Sequence, residues 1–156
     1  MDGNQLSVER VMSASPEAIF ALLADAAQHS RFDGSGTVLG TARESRPLSL
    51  GTKFGMSMRM KFAYKTSNEV IELEPPWLIA WKTTGLWGFI GGRIWRYELE
   101  PQADGTTLVR ETWDISQDKQ RRSLKRSGFP AATKRNITAT LDRLAELVES
   151  GQANGK

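Results

Sequence analysis

The sequence contains no cysteine and a single histidine, His29. The absence of cysteine excludes disulfides, thiolate metal sites and cysteine nucleophiles. Zinc sites and serine triads use histidine together with other ligands or partners, so a hydrolase of either kind would depend on that one residue. We therefore predict no metal site and no cofactor.

Long apolar runs are also missing. The longest, Ala18–Ala24, has seven residues, whereas a membrane-spanning helix needs roughly 20. The N-terminal residues do not show a basic region followed by an apolar one, as a secretory signal would. These absences predict a soluble, cytoplasmic protein without a transmembrane segment.

Charge is small in total but unevenly distributed. The net charge is +3, while the segment from Asp118 to Arg135 holds seven bases and one acid, a balance of 7 − 1 = +6 that leaves 3 − 6 = −3 for the remainder. Such a segment is either a solvated linker and helix face or a docking surface for an acidic partner, such as a carrier protein, a ribosomal RNA surface or a membrane. No aromatic residue precedes Phe129 in it, so stacking platforms are missing and no specific nucleic-acid partner is predicted.

The C-terminal segment Pro130–Glu149 has the spacing of a long amphipathic helix. Its apolar residues recur at intervals of three and four, at Ile137, Leu141, Leu144 and Val148. Pro130 suits the first turn, and Gly151 is placed for a left-handed C-cap. We expect this helix, about 30 Å long at 1.5 Å per residue, to be the element that covers a sheet.

Short helices are predicted after a first strand at Leu6–Met12. Ser15 followed by Pro16 and an acid is a typical helix start, and Asp25 can cap a second short helix that ends near Phe32. The glycines of segment 33–36 lie between a helix and a strand with no lysine after them. They therefore indicate a turn rather than a phosphate-binding loop.

The segment Phe54–Tyr64 shows the clearest strand alternation, with apolar side chains at even positions. Its phase later slips, which predicts a turn or bulge near Lys61–Lys65. Three methionines, Met56, Met58 and Met60, share the apolar face. Methionine suits a surface that closes over varied apolar shapes, but it also fills ordinary cores.

The glycine-rich segment Gly85–Gly92 carries four large apolar side chains. Since surface loops seldom hold so many, the segment closes a cavity mouth, meets another subunit or touches a membrane. We favour a cavity gate or a homodimer contact over a membrane anchor, because no basic cluster lies beside the segment in sequence. It follows a strand predicted at Leu78–Thr83.

A hairpin is predicted around the turn at 101–105. With Tyr97 paired to Val109, Arg93 and Glu111 would be diagonal neighbours on the inner face. Because buried charge is costly unless paired, they would form either a salt bridge or a polar contact to a ligand.

The chain resembles the SRPBCC superfamily, which includes START-like lipid-transfer domains and polyketide cyclases/dehydrases. The resemblance covers nearly the whole chain and is carried by segments 11–25, 33–38, 51–58, 68–81, 95–101, 105–114 and 140–149. It implies a single α+β domain over 1–156, with an ordered core at about 5–150 and a tail at 151–156. The implied helix-grip fold is a seven-stranded curved antiparallel sheet wrapped around the long C-terminal helix, with two short helices after strand 1.

The resemblance also implies a deep apolar cavity that suits lipids, sterols, polyketides or other aromatic molecules. Our leading hypothesis is a binding protein whose cavity wall comprises Met56, Met58, Met60, Trp81, Trp95, Tyr97, Trp113, Ile137 and Leu141. One alternative is a cyclase/dehydratase in which Arg93, Glu111, Tyr97 or His29 moves a proton. Another is an interaction module that uses the basic segment 119–135. For His29 we expect an ordinary exposed position near a helix end.

Overall fold

The computed structural model describes residues 1, 3–35, 38–40, 47–59, 63–85 and 89–153. Within these ranges seven strands form one antiparallel sheet in the order β1-β7-β6-β5-β4-β3-β2. The strands are β1 Gln5–Met12, β2 Val38–Gly40, β3 Lys53–Arg59, β4 Ala63–Glu74, β5 Leu78–Gly85, β6 Ile90–Pro101 and β7 Thr107–Asp114. The order and the long C-terminal helix confirm the predicted helix-grip α+β fold.

The helices are α1 Pro16–Leu23, α2 His29–Phe32, α3 Arg121–Arg126 and α4 Phe129–Ala153, with a 3-10 turn at Ala26–Gln28. As predicted, Ser15 caps α1 by accepting a hydrogen bond from the amide of Ala18 at 3.2 Å. Asp25 caps the 3-10 turn in the same way, from the amide of Ala27 at 3.1 Å. Among the described helices, none is long and apolar enough to cross a membrane.

Helix α4 packs its predicted apolar stripe into the core. Ile137, Leu141, Leu144 and Val148 are buried together with residues of the sheet. The helix extends beyond the predicted bounds, and Gly151 lies inside it rather than at a C-cap. A glycine inside a helix lowers the stability of the helix by about 1 kcal/mol relative to alanine. This loss is too small to end α4 at Gly151, because the preceding turns are packed into the core.

Helix α3 was not predicted. It has six residues, no side-chain N-cap, and one buried residue, Leu124. The sequence of α3 therefore contains neither a helix-capping residue nor apolar residues at helical spacing from which the helix could be predicted.

Strands β3 and β4 form a hairpin in which Arg59 pairs with Ala63. The predicted turn or bulge near Lys61–Lys65 falls partly on residues 60–62, which include Met60 and lie outside the described residues. The predicted slip in phase is explained by a bulge between Val70 and Glu72. Beyond that bulge, Leu73 pairs with Ile79.

The register of the β6–β7 hairpin differs from the prediction by two residues. Tyr97 pairs with Glu111, and Leu99 pairs with Val109. A shift of two residues keeps every side chain on the same face, so alternation alone could not distinguish the two registers. The consequence is that Arg93 and Glu111 are not the diagonal neighbours we expected.

The turn after α2 packs directly on α4. The amide of Gly34 donates to the hydroxyl of Thr140 at 2.8 Å. A Cβ at Gly34 would overlap the backbone of Asn136 and Thr140, so glycine is needed here for a close approach of two backbones. Residues 36 and 37 of the predicted turn lie outside the described residues.

Candidate functional site

A cavity of about 270 Å³ lies between the sheet and helix α4. Seven aromatic rings line it together with polar side chains, and the rings come from α2, from four strands and from the first turn of α4: Phe32, Tyr64, Trp81, Trp95, Tyr97, Trp113 and Phe129. The rings contact one another, with Trp81 and Tyr97 centroids 5.6 Å apart. The curved sheet and the helix therefore enclose a space suited to flat, apolar groups.

Six of the nine predicted wall residues line this cavity: Met58, Trp81, Trp95, Tyr97, Trp113 and Ile137. Leu141, one turn after Ile137, is buried in the core and is not part of the wall. Met60 and the side chain of Met56 lie outside the described residues.

Glu111 lines the cavity from β7 and is 3% exposed. Burial raises its pKa to about 8, and the nearby Asp33 acts in the same direction, while a hydrogen bond with the Tyr97 side chain opposes the rise. Glu111 is therefore protonated at neutral pH. Its Oε2 atom has no hydrogen-bond partner among the described residues.

His29 lines the cavity from α2 and is 3% exposed. This corrects our expectation of an exposed position, because the short helices turn inward over the sheet. The ring stacks on Trp81 with centroids 4.8 Å apart. Burial lowers its pKa to about 4, so the imidazole is neutral.

The hydrogen bonds of His29 decide its tautomer. Its Nε2 lies 2.8 Å from the carbonyl oxygen of Leu23. Because a carbonyl oxygen can only accept, Nε2 carries the proton and Nδ1 has a lone pair. Nδ1 is buried and has no partner among the described residues, which makes it an acceptor available to a ligand.

Arg93 also lines the cavity, but its partner is Asp118. The Arg93 Nε atom donates to Asp118 Oδ2 at 3.1 Å, and the Asp118 side chain is fully buried. The predicted Arg93–Glu111 salt bridge is therefore wrong. The cause is the two-residue shift in register, which moves Glu111 beside Tyr97 and away from Arg93.

A polar strip that the sequence did not lead us to predict lies on β4 and β5. The hydroxyl of Thr83 donates to Asn68 Oδ1 at 2.6 Å, and Asn68 Nδ2 donates to Thr66 Oγ1 at 3.3 Å. All three side chains are buried and line the cavity. The sequence pattern could have indicated this strip, because residues 66 and 68 on β4 are even-numbered, like the residues of β3 whose side chains point inward.

Three buried side chains on this wall thus carry a polar atom that has no partner within the described part of the chain: His29 Nδ1, Glu111 Oε2 and Trp113 Nε1. Buried polar atoms are nearly always hydrogen-bonded, so these three atoms can each bond a small molecule or a water in the cavity. Among the described residues, no three His, Asp or Glu side chains gather into a set that could hold a metal ion.

Comparison with known proteins agrees with this architecture. A family model described as polyketide cyclase/dehydrase and lipid transport matches residues 4–149. The uncharacterized protein Rv0088 of Mycobacterium tuberculosis is 33% identical over 146 residues, which cover 90% of this chain and 62% of that relative. The chain thus spans less than two-thirds of the length of this relative.

Solved structures share the fold at low sequence identity. Protein NE0264 from Nitrosomonas europaea matches with a TM-score of 0.71 at 15% identity, over 98% of this chain and 99% of its own. Protein CV1439 from Chromobacterium violaceum matches with a TM-score of 0.67 at 19% identity, over 94% and 97% of the two chains.

Proposed function

Since the chain belongs to the polyketide cyclase/dehydrase and lipid transport family, whose description indicates hydrophobic ligand binding, we propose that it binds a small, flat, largely apolar molecule in the cavity beneath α4. The observation that carries this proposal is an aromatic cavity of about 270 Å³ that also holds unpartnered polar atoms. A solid core would have neither feature.

The cavity volume restricts the size of the ligand. An engineered cavity of about 150 Å³ holds benzene, and sites for drug-sized ligands start at about 300 Å³. A volume of about 270 Å³ therefore suits two fused rings or a short chain. A four-ring sterol or a long acyl chain would require the walls to move.

The polar atoms restrict its chemistry. The protonated carboxyl of Glu111 and the indole of Trp113 are donors, whereas His29 Nδ1 is an acceptor. A flat ligand with both a carbonyl and a hydroxyl group satisfies this set. An ionised carboxylate beside Glu111 is disfavoured, because Asp33 already adds negative potential there.

Calorimetric titration with ligands of increasing size tests the proposal. We expect 2-naphthol, a two-ring molecule with one hydroxyl, to bind with a Kd on the order of 1–100 µM, from about 0.5–0.75 kcal/mol for each of roughly eleven non-hydrogen atoms. The heat-capacity change should be negative, because apolar surface is buried. A four-ring steroid and a long-chain fatty acid should bind more weakly.

Two results would contradict this proposal. One is the absence of saturable binding of any two-ring aromatic. The other is binding of the steroid or the fatty acid in preference to 2-naphthol, since either ligand exceeds the cavity.

Acid catalysis in the same cavity is a second candidate function, favoured by Glu111. A buried carboxyl that stays protonated at neutral pH can protonate a departing hydroxyl group, and a neutral imidazole can accept the proton that a dehydration removes. Dehydration of a small aromatic β-hydroxyketone, followed by absorbance, tests this. The rate should fall above about pH 8 and in Glu111→Gln, and a rate equal to that in buffer would exclude the reaction.

A further inference from the structure

An aromatic residue at the opening of the cavity is in contact with both the cavity and the solvent. Phe129, in the first turn of α4, lines the cavity and is also 44% exposed. Ile90 at the start of β6 lines the cavity as well, and its neighbour Phe89 is 69% exposed. Two phenylalanine rings are therefore exposed, one on the cavity wall and one next in sequence to a cavity residue, and burial in the protein does not stabilise them.

Positive charge is concentrated in the segment that contains α3 and leads into the first turns of α4. Segment 119–135 contains seven bases and no acid, and six of the bases are exposed: Lys119, Arg121, Arg122, Arg126, Lys134 and Arg135. The acid that precedes it, Asp118, is buried against Arg93. The N-terminus of α4 adds positive partial charge at Phe129.

A close backbone contact joins the basic segment to the mouth. The amide of Lys119 donates to the carbonyl oxygen of Gly91 at 3.1 Å. A Cβ at Gly91 would lie 3.2 Å from the Cβ of Lys119, which is tighter than ordinary contact. Glycine at this position thus allows the basic segment to start beside β6, next to Ile90.

We propose that this mouth face, formed by Phe89, Phe129 and segment 119–135, docks on an anionic lipid bilayer with the cavity opening toward the membrane. Exposed cations without interspersed acids suit a continuous negative surface, because each base near it is attracted to the anionic headgroups. Exposed phenylalanines beside the cations suit insertion at the boundary between headgroups and acyl chains. A folded acidic protein or an RNA would use the cations but would leave the two rings without an apolar environment.

The proposal extends the ligand-binding function, because an apolar ligand partitions into bilayers and the mouth would meet it there. Docking itself does not depend on that function. A vesicle assay on the ligand-free chain therefore tests docking alone, and its failure would leave the calorimetric result with 2-naphthol unaffected.

The experiment is co-sedimentation of the full chain with phosphatidylcholine vesicles, with and without phosphatidylglycerol. Two salt concentrations, about 0.02 M and about 0.3 M, take the Debye length from about 20 Å to about 6 Å. The variants are Arg122→Glu for charge and Phe89→Ser for insertion. Lys53→Glu is the matched control, an equal charge reversal at an exposed position on β3. Urea unfolding shows whether each variant is folded.

We expect binding to the phosphatidylglycerol vesicles only, at least tenfold weaker at the higher salt concentration. Arg122→Glu should bind at least fivefold more weakly, and Phe89→Ser should lose several-fold at the higher salt concentration, where insertion contributes most. Lys53→Glu should stay within twofold of the unmodified protein.

Equal binding to both kinds of vesicle, no binding at low salt, or equal losses in Arg122→Glu and Lys53→Glu would overturn the proposal. Arg122-dependent binding of an acidic carrier protein or of RNA, without vesicle binding, would replace the bilayer with that partner. If Phe89→Ser converts a dimer into a monomer and leaves vesicle binding unchanged, Phe89 belongs to the homodimer contact predicted for Gly85–Gly92, and bilayer insertion is overturned. Residues 86–88 of that segment lie outside the described residues.

Discussion

At the scale of single residues, the cavity contains an acid and a base that are both uncharged at neutral pH. Burial is the main cause for each, raising the pKa of Glu111 to about 8 and lowering that of His29 to about 4. Asp25 and Asp33 favour the ionised form of His29 but do not overcome burial, whereas Asp33 adds to the effect of burial on Glu111. Glu111 and His29 are therefore polar without being charged, which suits neutral groups of a ligand, whereas the charged Arg93 on the same wall is paired with Asp118.

The stability of the protein should depend on pH through Glu111. Its pKa is 4.5 when unfolded and about 8 when folded, so the folded state holds an extra proton between these values and loses stability as the pH rises. His29 has the opposite effect: because its pKa falls from 6.5 to about 4 on folding, it makes the protein more stable as the pH rises between these two values. From pH 6.5 to 8 Glu111 contributes more than His29, and we expect Glu111 to cost about 1.5–2 kcal/mol, at up to 1.36 kcal/mol for each pH unit.

Urea unfolding at pH 6.5 and 8 measures this loss in the unmodified protein and in Glu111→Gln. The glutamine variant should lose about 1.5–2 kcal/mol less over the same interval, since its side chain does not titrate. The same slope in both proteins would mean that Glu111 is ionised in the folded state.

The buried ion pair of Arg93 gives a second prediction at this scale. Asp118→Asn should lower the free energy of unfolding by about 2–4 kcal/mol, because it leaves the Arg93 guanidinium buried without its partner. Asp142→Asn is the matched control, since Asp142 pairs with Arg10 on the surface and should cost less than about 1 kcal/mol. Equal losses in the two variants, measured by urea unfolding, would contradict the importance we give to the buried pair.

At the scale of elements, the sequence predicted which face of a strand or helix points inward more accurately than it predicted how two strands pair. Alternation in β3 and the stripe of α4 correctly indicated which side chains point inward, and Ser15 and Asp25 correctly marked helix starts. The two-residue shift between β6 and β7 was invisible to the pattern, because it leaves the faces unchanged. That shift decides whether Arg93 or Tyr97 lies beside Glu111, and hence the chemistry of the site.

The turn after α2 gives a prediction about how two elements approach each other. Gly34→Ala should destabilise the protein by about 1–3 kcal/mol, because its Cβ would overlap the α4 backbone at Asn136. Gly128→Ala, where a Cβ meets no atom within 4 Å, should change stability by less than about 1 kcal/mol. The free energy of urea unfolding distinguishes them, and an equal effect would show that the turn can move away from α4.

At the scale of the whole molecule, the fold could be predicted because the helix-capping residues, the spacing of apolar residues and the turn residues all indicate the same architecture. The site could be predicted only in part. Trp81, Trp95 and Trp113 follow from strand alternation, but the burial of His29 depends on how α2 docks against the sheet. Long-range packing of this kind leaves no local signal in one sequence.

The central claim, that the space beneath α4 is a ligand site, is tested most directly by filling it. Ala132 lines the cavity, whereas its neighbour Ala131 is exposed and does not. Ala132→Phe and Ala131→Phe therefore make the same substitution at adjacent helix positions, and only the first occupies the cavity. Calorimetric titration with 2-naphthol should give an unchanged Kd for Ala131→Phe and a Kd at least tenfold higher for Ala132→Phe. Unchanged binding by a folded Ala132→Phe variant would contradict the account.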